Sequence, residues 1–249
     1  MAGSAEDALA ALKRTRRPHG ESGTDPSCRV SSEIANAILE QRLRPGAKLG
    51  EQVLSEIFGV NRPVVRRALM RLSWDRLVEI RPHRGAFVAS PDIEEARQIF
   101  EARRLAEDWV VRHLGDGLDP KAQAQLERHV EEENAAALNR DRAKWIRATG
   151  EFHVLLATMT GNEVIARFLE DLVARTSLII SLYGARGEAL CPNCDHREIV
   201  AALGRGDAEA AASAMRTHLE SCEAALHFEE RTEGHDLRGI FNIMARASV

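Results

Sequence analysis

The chain has 249 residues, of which 44% are hydrophobic and 29% charged, so it is long enough to form two globular domains. Residues 1–90 carry 15 Lys and Arg against 10 Asp and Glu, whereas residues 91–249 carry 19 against 28. A basic N-terminal third on an acidic remainder is typical of a protein that grips phosphates with one end only. The sequence has no apolar run of the roughly 20 residues that a membrane span needs and no signal-peptide pattern, so a cytoplasmic protein is expected.

The N-terminal segment, residues 1–29, is polar and rich in Gly, Ser and Arg, which predicts a mobile arm. The first helix is expected to follow a cap at Ser31 or Ser32 and to end before Pro45 and Gly46.

The stretch from Glu51 to Ala89 has the pattern of two short helices around a tight turn at Gly59. Asn61 is a good N-cap for the second helix. Its inward face is predicted from the spacing of Val65, Ala68, Leu69 and Leu72. The opposite face has four arginines and no acid: Arg62, Arg66, Arg67 and Arg71. A solvated helix face is the ordinary explanation for such a charge run, but solvated faces normally mix both signs of charge.

Two strand-prone runs, Leu77 to Arg81 and Ala86 to Ala89, flank the segment Pro82-His83-Arg84-Gly85 and predict a hairpin with a basic tip. Helix, turn, basic helix and hairpin together are typical of a winged helix-turn-helix. We therefore interpret residues 30–90 as a DNA-binding domain.

The remainder predicts an all-α domain over residues 91–228, a bundle of six or seven helices that follows a short hinge at Ser90–Asp92. Helices are expected at residues 93–114, 120–139, 144–160, 162–183, 195–204 and 207–228, with Gly- or Pro-bearing breaks between them. The C-terminal tail, residues 229–249, has an apolar patch that is expected to dock on this helical domain. The patch consists of Leu237, Ile240, Phe241 and Ile243.

These motifs resemble a known family. The runs LSEIFGVNRPVVRRALMRL and LVEIRPHRGAFVA resemble the winged-helix domain of the GntR family of bacterial transcription regulators. The helical part is similar to the FadR-type (FCD) ligand-binding domain of that family. The runs that carry this second likeness are IFEARRLAE around Arg103 and Glu107, EFHVLLATMTGN around His153, DHREIVAAL around His196 and MRTHLESCEAAL around His218. The resemblance implies a homodimeric regulator, not an enzyme, that binds a palindromic double-stranded DNA operator and responds to a small metabolite.

The resemblance also implies which residues contact DNA. These are Gln52 before the turn, Arg62, Arg66 and Arg67 on the second helix, and His83, Arg84 and Gly85 on the wing. Arg62 and Arg66 lie one helical turn apart, which suits phosphate or bidentate guanine contacts in a major groove. Arg67 stands where family members usually have Glu, and it adds positive charge to this face.

In the family, three histidines and an aspartate hold a divalent metal inside the helical domain. The resemblance assigns these metal positions to His153, His196 and His218, which suit Zn²⁺ or Ni²⁺ as neutral imidazoles. Thr149 replaces the usual Asp, so we expect weaker metal binding. A carboxylate effector would bind the metal, with Arg103 as a second anchor.

Other functions stay open at this point. Cys191 and Cys194 form a single CxxC pair directly before His196, which allows a redox-sensitive pair, a thiol near the same metal or two ordinary thiols. We interpret Cys28 and Cys222 as structural or incidental. The leading hypothesis is a metabolite-responsive repressor, and the alternative is a regulator that senses a metal or a redox change. A metal-dependent hydrolase with a basic domain is a third possibility, but the sequence has no HExxH motif.

Overall fold

The computed structural model describes residues 25–184, 196–228 and 236–241. It divides into two compact units. Residues 25–91 and 236–241 belong to the first unit, the head, and residues 92–184 and 196–228 belong to the second, the helical domain. This is the mainly α architecture that the sequence predicts, with an N-terminal winged helix-turn-helix and a C-terminal all-helical domain.

Residues 25–91 of the head form three helices and a small sheet: α1 (Pro26–Leu39), β1 (Lys48–Leu49), α2 (Glu51–Phe58), α3 (Arg62–Trp74), β2 (Val78–Arg81) and β3 (Gly85–Val88). Gly59 ends α2 in a left-handed conformation with φ of 62°, which a residue with a Cβ rarely adopts. The Asn61 side chain then accepts a hydrogen bond of 3.1 Å from Val64 N and caps α3. The core between α1, α2 and α3 includes Ile34, Leu54 and Leu69.

Two details of the head differ from the sequence-based expectation. The first helix begins at Pro26 rather than after Ser31 or Ser32, because the Asp25 carboxylate accepts from Ser27 N and Pro26 is tolerated in a first turn. Residues 26–29 are therefore helical, and residues 1–24 of the predicted arm lie outside the described part. The sheet also has a third strand, because the two-residue β1 pairs with β3.

The C-terminal patch was expected to pack on the helical domain, and that prediction is wrong for the residues the structure describes. Residues 237–241 form a short helix, α10, that belongs to the head. Leu237 and Phe241 are buried, and the Phe241 ring lies 5.1 Å from the ring of Phe58 at the end of α2. Apolar side chains one helical turn apart need a partner surface, but the pattern does not identify which surface it is. Ile243 lies outside the described residues.

The helical domain has six helices in its described part: α4 (Ile93–His113), α5 (Pro120–Leu138), α6 (Arg142–Met159), α7 (Glu163–Tyr183), α8 (Arg197–Gly204) and α9 (Ala208–Ala224). Their bounds lie close to the predicted ones because each start has a capping Asp or Asn, except α8. Helix α6 is central, since 12 of its 18 residues are buried. Among the described helices, none is long and apolar enough to cross a membrane.

Candidate functional site

The outer face of α3 presents the predicted arginines to solvent. The inward residues Val65, Ala68, Leu69 and Leu72 are buried, as predicted, and this leaves Arg62, Arg66 and Arg67 exposed on the opposite side. Such a face can donate several charge-assisted hydrogen bonds to phosphates or to guanine edges.

An acid from the neighbouring helix orients two of these arginines. Glu51, the first residue of α2, accepts two hydrogen bonds from Arg66 at 3.1 and 2.9 Å and lies 3.5 Å from Arg62. The hydrogen bond from Arg66 is the main reason that the pKa of Glu51 lies below its usual value. The sequence of α3 itself contains no acid, so a partner from the neighbouring helix was not predicted. Arg67 has its own partner, Asp25, at 3.7 Å.

The wing tip is the turn between β2 and β3, and it places His83, Arg84 and Gly85 in exposed positions. His83 and Gly85 both have positive φ angles, 59° and 95°, which fold the tip into a tight turn. Gln52 is also exposed, and its side-chain amide donates a 2.9 Å hydrogen bond to Glu56 one turn later on α2. The predicted DNA contacts are therefore all solvent-accessible on the head.

Inside the helical domain, the structure brings together the three histidines that the resemblance identified. His153 comes from α6, His196 directly precedes α8, and His218 comes from α9. All three are buried, and their ligand nitrogens lie within 4.8 Å of one another. The distance between His196 Nε2 and His218 Nε2 is 3.3 Å. Two nitrogens on one tetrahedral zinc ion are roughly 3.4 Å apart, so this pair has the spacing of shared ligands.

Two buried carboxylates fix the orientation of these rings. His153 Nδ1 lies 2.5 Å from Glu107 Oε2, and His196 Nδ1 lies 2.8 Å from Glu133 Oε2. Because a carboxylate can only accept, the hydrogen of each bond lies on Nδ1, and Nε2 is the ring nitrogen that remains for a cation. A carboxylate behind the imidazole is the usual outer partner of a metal-binding histidine.

Neither carboxylate was predicted to take part in the site, although the sequence contains a signal for one of them. Glu131, Glu132 and Glu133 form an acidic run, but only Glu133 continues the buried stripe of Leu126 and Val130 at helical spacing. An acid on an apolar stripe needs a buried partner. Glu107 has a similar position on α4, where Arg103 Nε donates to it at 2.6 Å.

The protonation states suit cation binding. Burial lowers the pKa of His153 to about 3, and it also lowers the pKa of His218 well below its ordinary value, so both rings are neutral near pH 7. Burial alone would raise the pKa of Glu107, but the charge of Arg103 and the hydrogen bond from His153 outweigh it and leave the pKa at about 2. Burial raises the pKa of Cys222 to about 12, so its thiol stays protonated and is a poor ligand.

A small cavity of about 10 Å³ adjoins the histidines, and three buried polar atoms around it have no hydrogen-bond partner in the described structure. They are Arg103 Nη2, Thr149 Oγ1 and His218 Nδ1. A cavity of this size holds about one water molecule. Three buried imidazoles, two of them held by carboxylates, fit a divalent cation such as Zn²⁺ or Ni²⁺. Thr149 offers only a neutral hydroxyl from the position of the usual Asp. Cys191 and Cys194 lie outside the described residues.

Comparisons with known proteins match the head and the helical domain to two separate families. Residues 26–88 match the bacterial regulatory proteins of the gntR family, and residues 98–221 match the FCD domain. The HTH-type transcriptional repressor RspR of Escherichia coli K12 is 25% identical over 78% of this chain and 85% of its own length. The repressor NanR of Enterobacter sp. strain 638 is 29% identical over 80% of this chain and 84% of its own.

A solved structure of a GntR-type regulator from Rhodococcus sp. RHA1 shares 28% identity and a TM-score of 0.63, with coverage of 81% of this chain and 97% of that one. The matched families and relatives are transcription regulators, and the hydrolase alternative has no support among them.

Proposed function

The chain belongs to the GntR family of bacterial transcription regulators and carries their FCD domain, and from this premise we propose that it binds a palindromic operator as a dimer. A small organic acid that enters the helical domain changes this binding. Repression is the proposed direction of control, supported by RspR and NanR, which are both named repressors.

The observation that carries the DNA-binding part is the exposed arginine face of α3. Glu51 holds Arg66 through two hydrogen bonds in the absence of DNA, so less side-chain freedom is lost when the guanidinium meets a phosphate or a guanine. The wing supplies a second basic contact through Arg84, and Gly85 has no side chain to hinder a close approach to the backbone.

A matched pair of arginines tests this assignment. Arg66→Ala should weaken binding to a duplex selected from a random pool by the wild-type protein, by about 1–3 kcal/mol, the cost of a lost bidentate contact. Arg167→Ala is the control, because Arg167 is also on a helix, is 62% exposed against 63% for Arg66, and also pairs with one glutamate. Equal affinities of the two variants in a gel-shift titration would contradict the proposal.

The proposal that an effector binds the helical domain rests on the buried histidines and the buried arginine around the cavity. His153, His196 and His218 would hold a divalent cation, and when bound the cation supplies a concentrated positive charge for a carboxylate. Arg103 Nη2, without a hydrogen-bond partner in the described structure, would be the second anchor of that carboxylate. A cavity of about 10 Å³ is too small for an organic acid, so the surrounding helices must move apart when the acid enters. This movement is the conformational signal.

Helix α4 connects that signal to the hinge. Asp92 in the hinge caps α4 by accepting from Glu95 N at 2.7 Å, and Arg103 follows eleven residues later, roughly 16 Å along the helix. Arg104 on the same helix pairs with Glu223 on α9, the helix that carries His218. Effector and operator that prefer different states of the dimer change each other's affinity by the same factor, typically ~1–3 kcal/mol.

The dimer is supported by apolar side chains that the helical domain leaves in solvent. Leu105 on α4 and Val164 on α7 are 75% and 77% exposed, and the two helices pack against each other. Trp109 and Phe168, one turn further along these helices, are also partly exposed. Clustered apolar exposure of this kind marks subunit interfaces.

The alternative, a regulator that senses a metal or a redox change, is favoured by the 3.3 Å spacing of His196 Nε2 and His218 Nε2. In that case the cation itself is the signal. Operator affinity should be measured with and without chelator, reductant and a panel of small carboxylic acids. A change with acid in the presence of saturating zinc supports the metabolite sensor, and a change with chelator or reductant alone supports the alternative.

A further inference from the structure

The short helix α10 (residues 237–241) is built into the head by apolar contacts. Leu237 and Phe241 are 8% and 6% exposed, and the Phe241 ring packs at a tilt of 60° on Phe58. Arg42, which lies beyond the end of α1, donates a 3.4 Å hydrogen bond to the carbonyl oxygen of Ile240. These contacts place α10 beside α2, the first helix of the helix-turn-helix.

A chain of three side chains leads from α10 to the predicted DNA contact on α2. Arg238 forms an ion pair with Glu56 on the solvent face of α2. Glu56 in turn accepts a hydrogen bond of 2.9 Å from Gln52 Nε2, one turn earlier. The Gln52 amide therefore has one N–H engaged, and its carbonyl oxygen and second N–H stay available.

We propose that α10 is a positioning element of the operator-binding surface, in which Arg238 acts through Glu56 to orient Gln52 toward the duplex. The inference rests on the proposed operator binding and adds a residue from the far end of the chain to it. The resemblance that identified Gln52 extends only to about residue 228, so it does not include this contact.

The physical reason is the orientation of a flexible side chain before binding. Without Arg238, the Glu56 carboxylate loses the partner that holds it and rotates freely. Gln52 then loses its fixed partner and must be ordered when the duplex binds, which lowers affinity. Arg238 and Glu56 are about half exposed, so the effect is small.

A double-mutant cycle tests the proposal on the full-length protein with the duplex that the wild-type protein selects. Arg238→Ala should weaken binding by about threefold, the size that an exposed ion pair supports. Gln52→Ala should also weaken binding, and the double variant should bind no worse than Gln52→Ala alone, because Arg238 acts only through Gln52. Arg238→Lys should recover part of the loss. Phe241→Ala, which removes the packing on Phe58, should weaken binding at least as much as Arg238→Ala.

The salt dependence separates this role from a direct phosphate contact. Loss of a phosphate contact lowers the salt slope by about one, whereas loss of a positioning residue leaves it unchanged. The inference would be overturned if Arg238→Ala bound the duplex as tightly as the wild-type protein. It would also be overturned if the losses from Arg238→Ala and Gln52→Ala added in the double variant and Arg238→Ala reduced the salt slope. Arg66→Ala is measured in parallel. If the wild-type protein selects no duplex, the proposed function fails; if only the Arg238 effect is missing, this inference fails alone.

Discussion

The arginine face of α3 and the histidine cluster of the helical domain both pair charges, but in opposite environments. On α3, Arg66 meets Glu51 in solvent, whereas in the helical domain Arg103 meets Glu107 with almost no exposed surface. Exposed pairs contribute roughly 0–1 kcal/mol to stability, and removing one partner of a buried pair costs about 3–5 kcal/mol. The surface pair can therefore be exchanged for contacts with DNA, whereas the buried pair is part of the core.

Helix α4 contains both an exposed and a buried glutamate, so exposed and buried charges can be compared within one helix. The pKa of Glu94 and that of Glu107 are both lowered to about 2, the first by hydrogen bonds from Arg97 and Gln98 in solvent. For Glu107, burial opposes the shift, and the charge of Arg103 together with the hydrogen bond from His153 overcomes it. Only the buried glutamate should matter for folding, because water screens the other.

The largest expected effect comes from Glu107→Gln. It leaves the Arg103 guanidinium buried without a counter-charge and should lower the free energy of unfolding by about 3–5 kcal/mol in urea denaturation at pH 7. Glu94→Gln is the control on the same helix and should leave the unfolding midpoint nearly unchanged. Similar urea midpoints for Glu107→Gln and Glu94→Gln would show that the buried charge pair is not more important for stability than the exposed one.

The difference between wild type and Glu107→Gln should also depend on pH. Since the folded pKa of Glu107 is depressed from 4.5 to about 2, its charge stabilises the folded state above pH 4.5. That contribution is lost as the pH falls through this window. Unfolding curves recorded at successively lower pH should therefore converge for the two proteins, and a constant gap would mean that the Glu107 charge is not responsible.

An intermediate effect is expected at the histidine cluster. Glu133→Gln removes the charged partner of His196 Nδ1 and should weaken zinc binding by about 10–100-fold in competition with a chromophoric chelator. Its neighbour Glu132 is exposed, so Glu132→Gln is the matched control. A second variant sharpens the measurement. Thr149→Asp supplies a carboxylate at the unpartnered hydroxyl and should strengthen zinc binding, unless Thr149 faces away from the ion.

The smallest effect is expected at the surface. Glu51→Gln keeps the shape of the Arg66 partner but removes its charge, so operator affinity should change by no more than about threefold. A gel-shift titration at two salt concentrations measures this, with Glu163→Gln, the partner of Arg167, as the control. A loss as large as that of Arg66→Ala would mean that Glu51 is itself part of the operator contact.

The sequence predicts a feature well when the residues that determine it all lie on one helix. The bounds of α4 to α9 follow from caps and periodicity, and the arginine face follows from the spacing of Val65 and Leu69. It predicts less well where a partner comes from elsewhere. Glu51 approaches Arg66 from another helix, and Glu133 meets a histidine 63 residues away. The histidines themselves were found by resemblance, because nothing local shows that three distant rings converge.

The start of α1 and the packing of α10 were also mispredicted because each depends on residues outside the pattern that was considered. Ser31 and Ser32 are good caps by residue type, but Asp25 caps the helix six residues before Ser31, and the apolar face continues back to Val30. Leu237 and Phe241 indicated an apolar patch that packs on another part of the protein, but the helical domain was the wrong choice, and their partner Phe58 could not be predicted from their spacing.

The position of α10 has a consequence for synthesis and handling. The head is formed by two segments that are far apart in sequence, residues 25–91 and residues 236–241. A ribosome therefore releases the whole helical domain before the last piece of the head emerges. Proteolysis between residues 228 and 236 would separate that piece from the domain it follows in sequence. An affinity tag placed C-terminal to α10 would follow a helix of the DNA-binding unit, so operator affinities should be measured after the tag is removed.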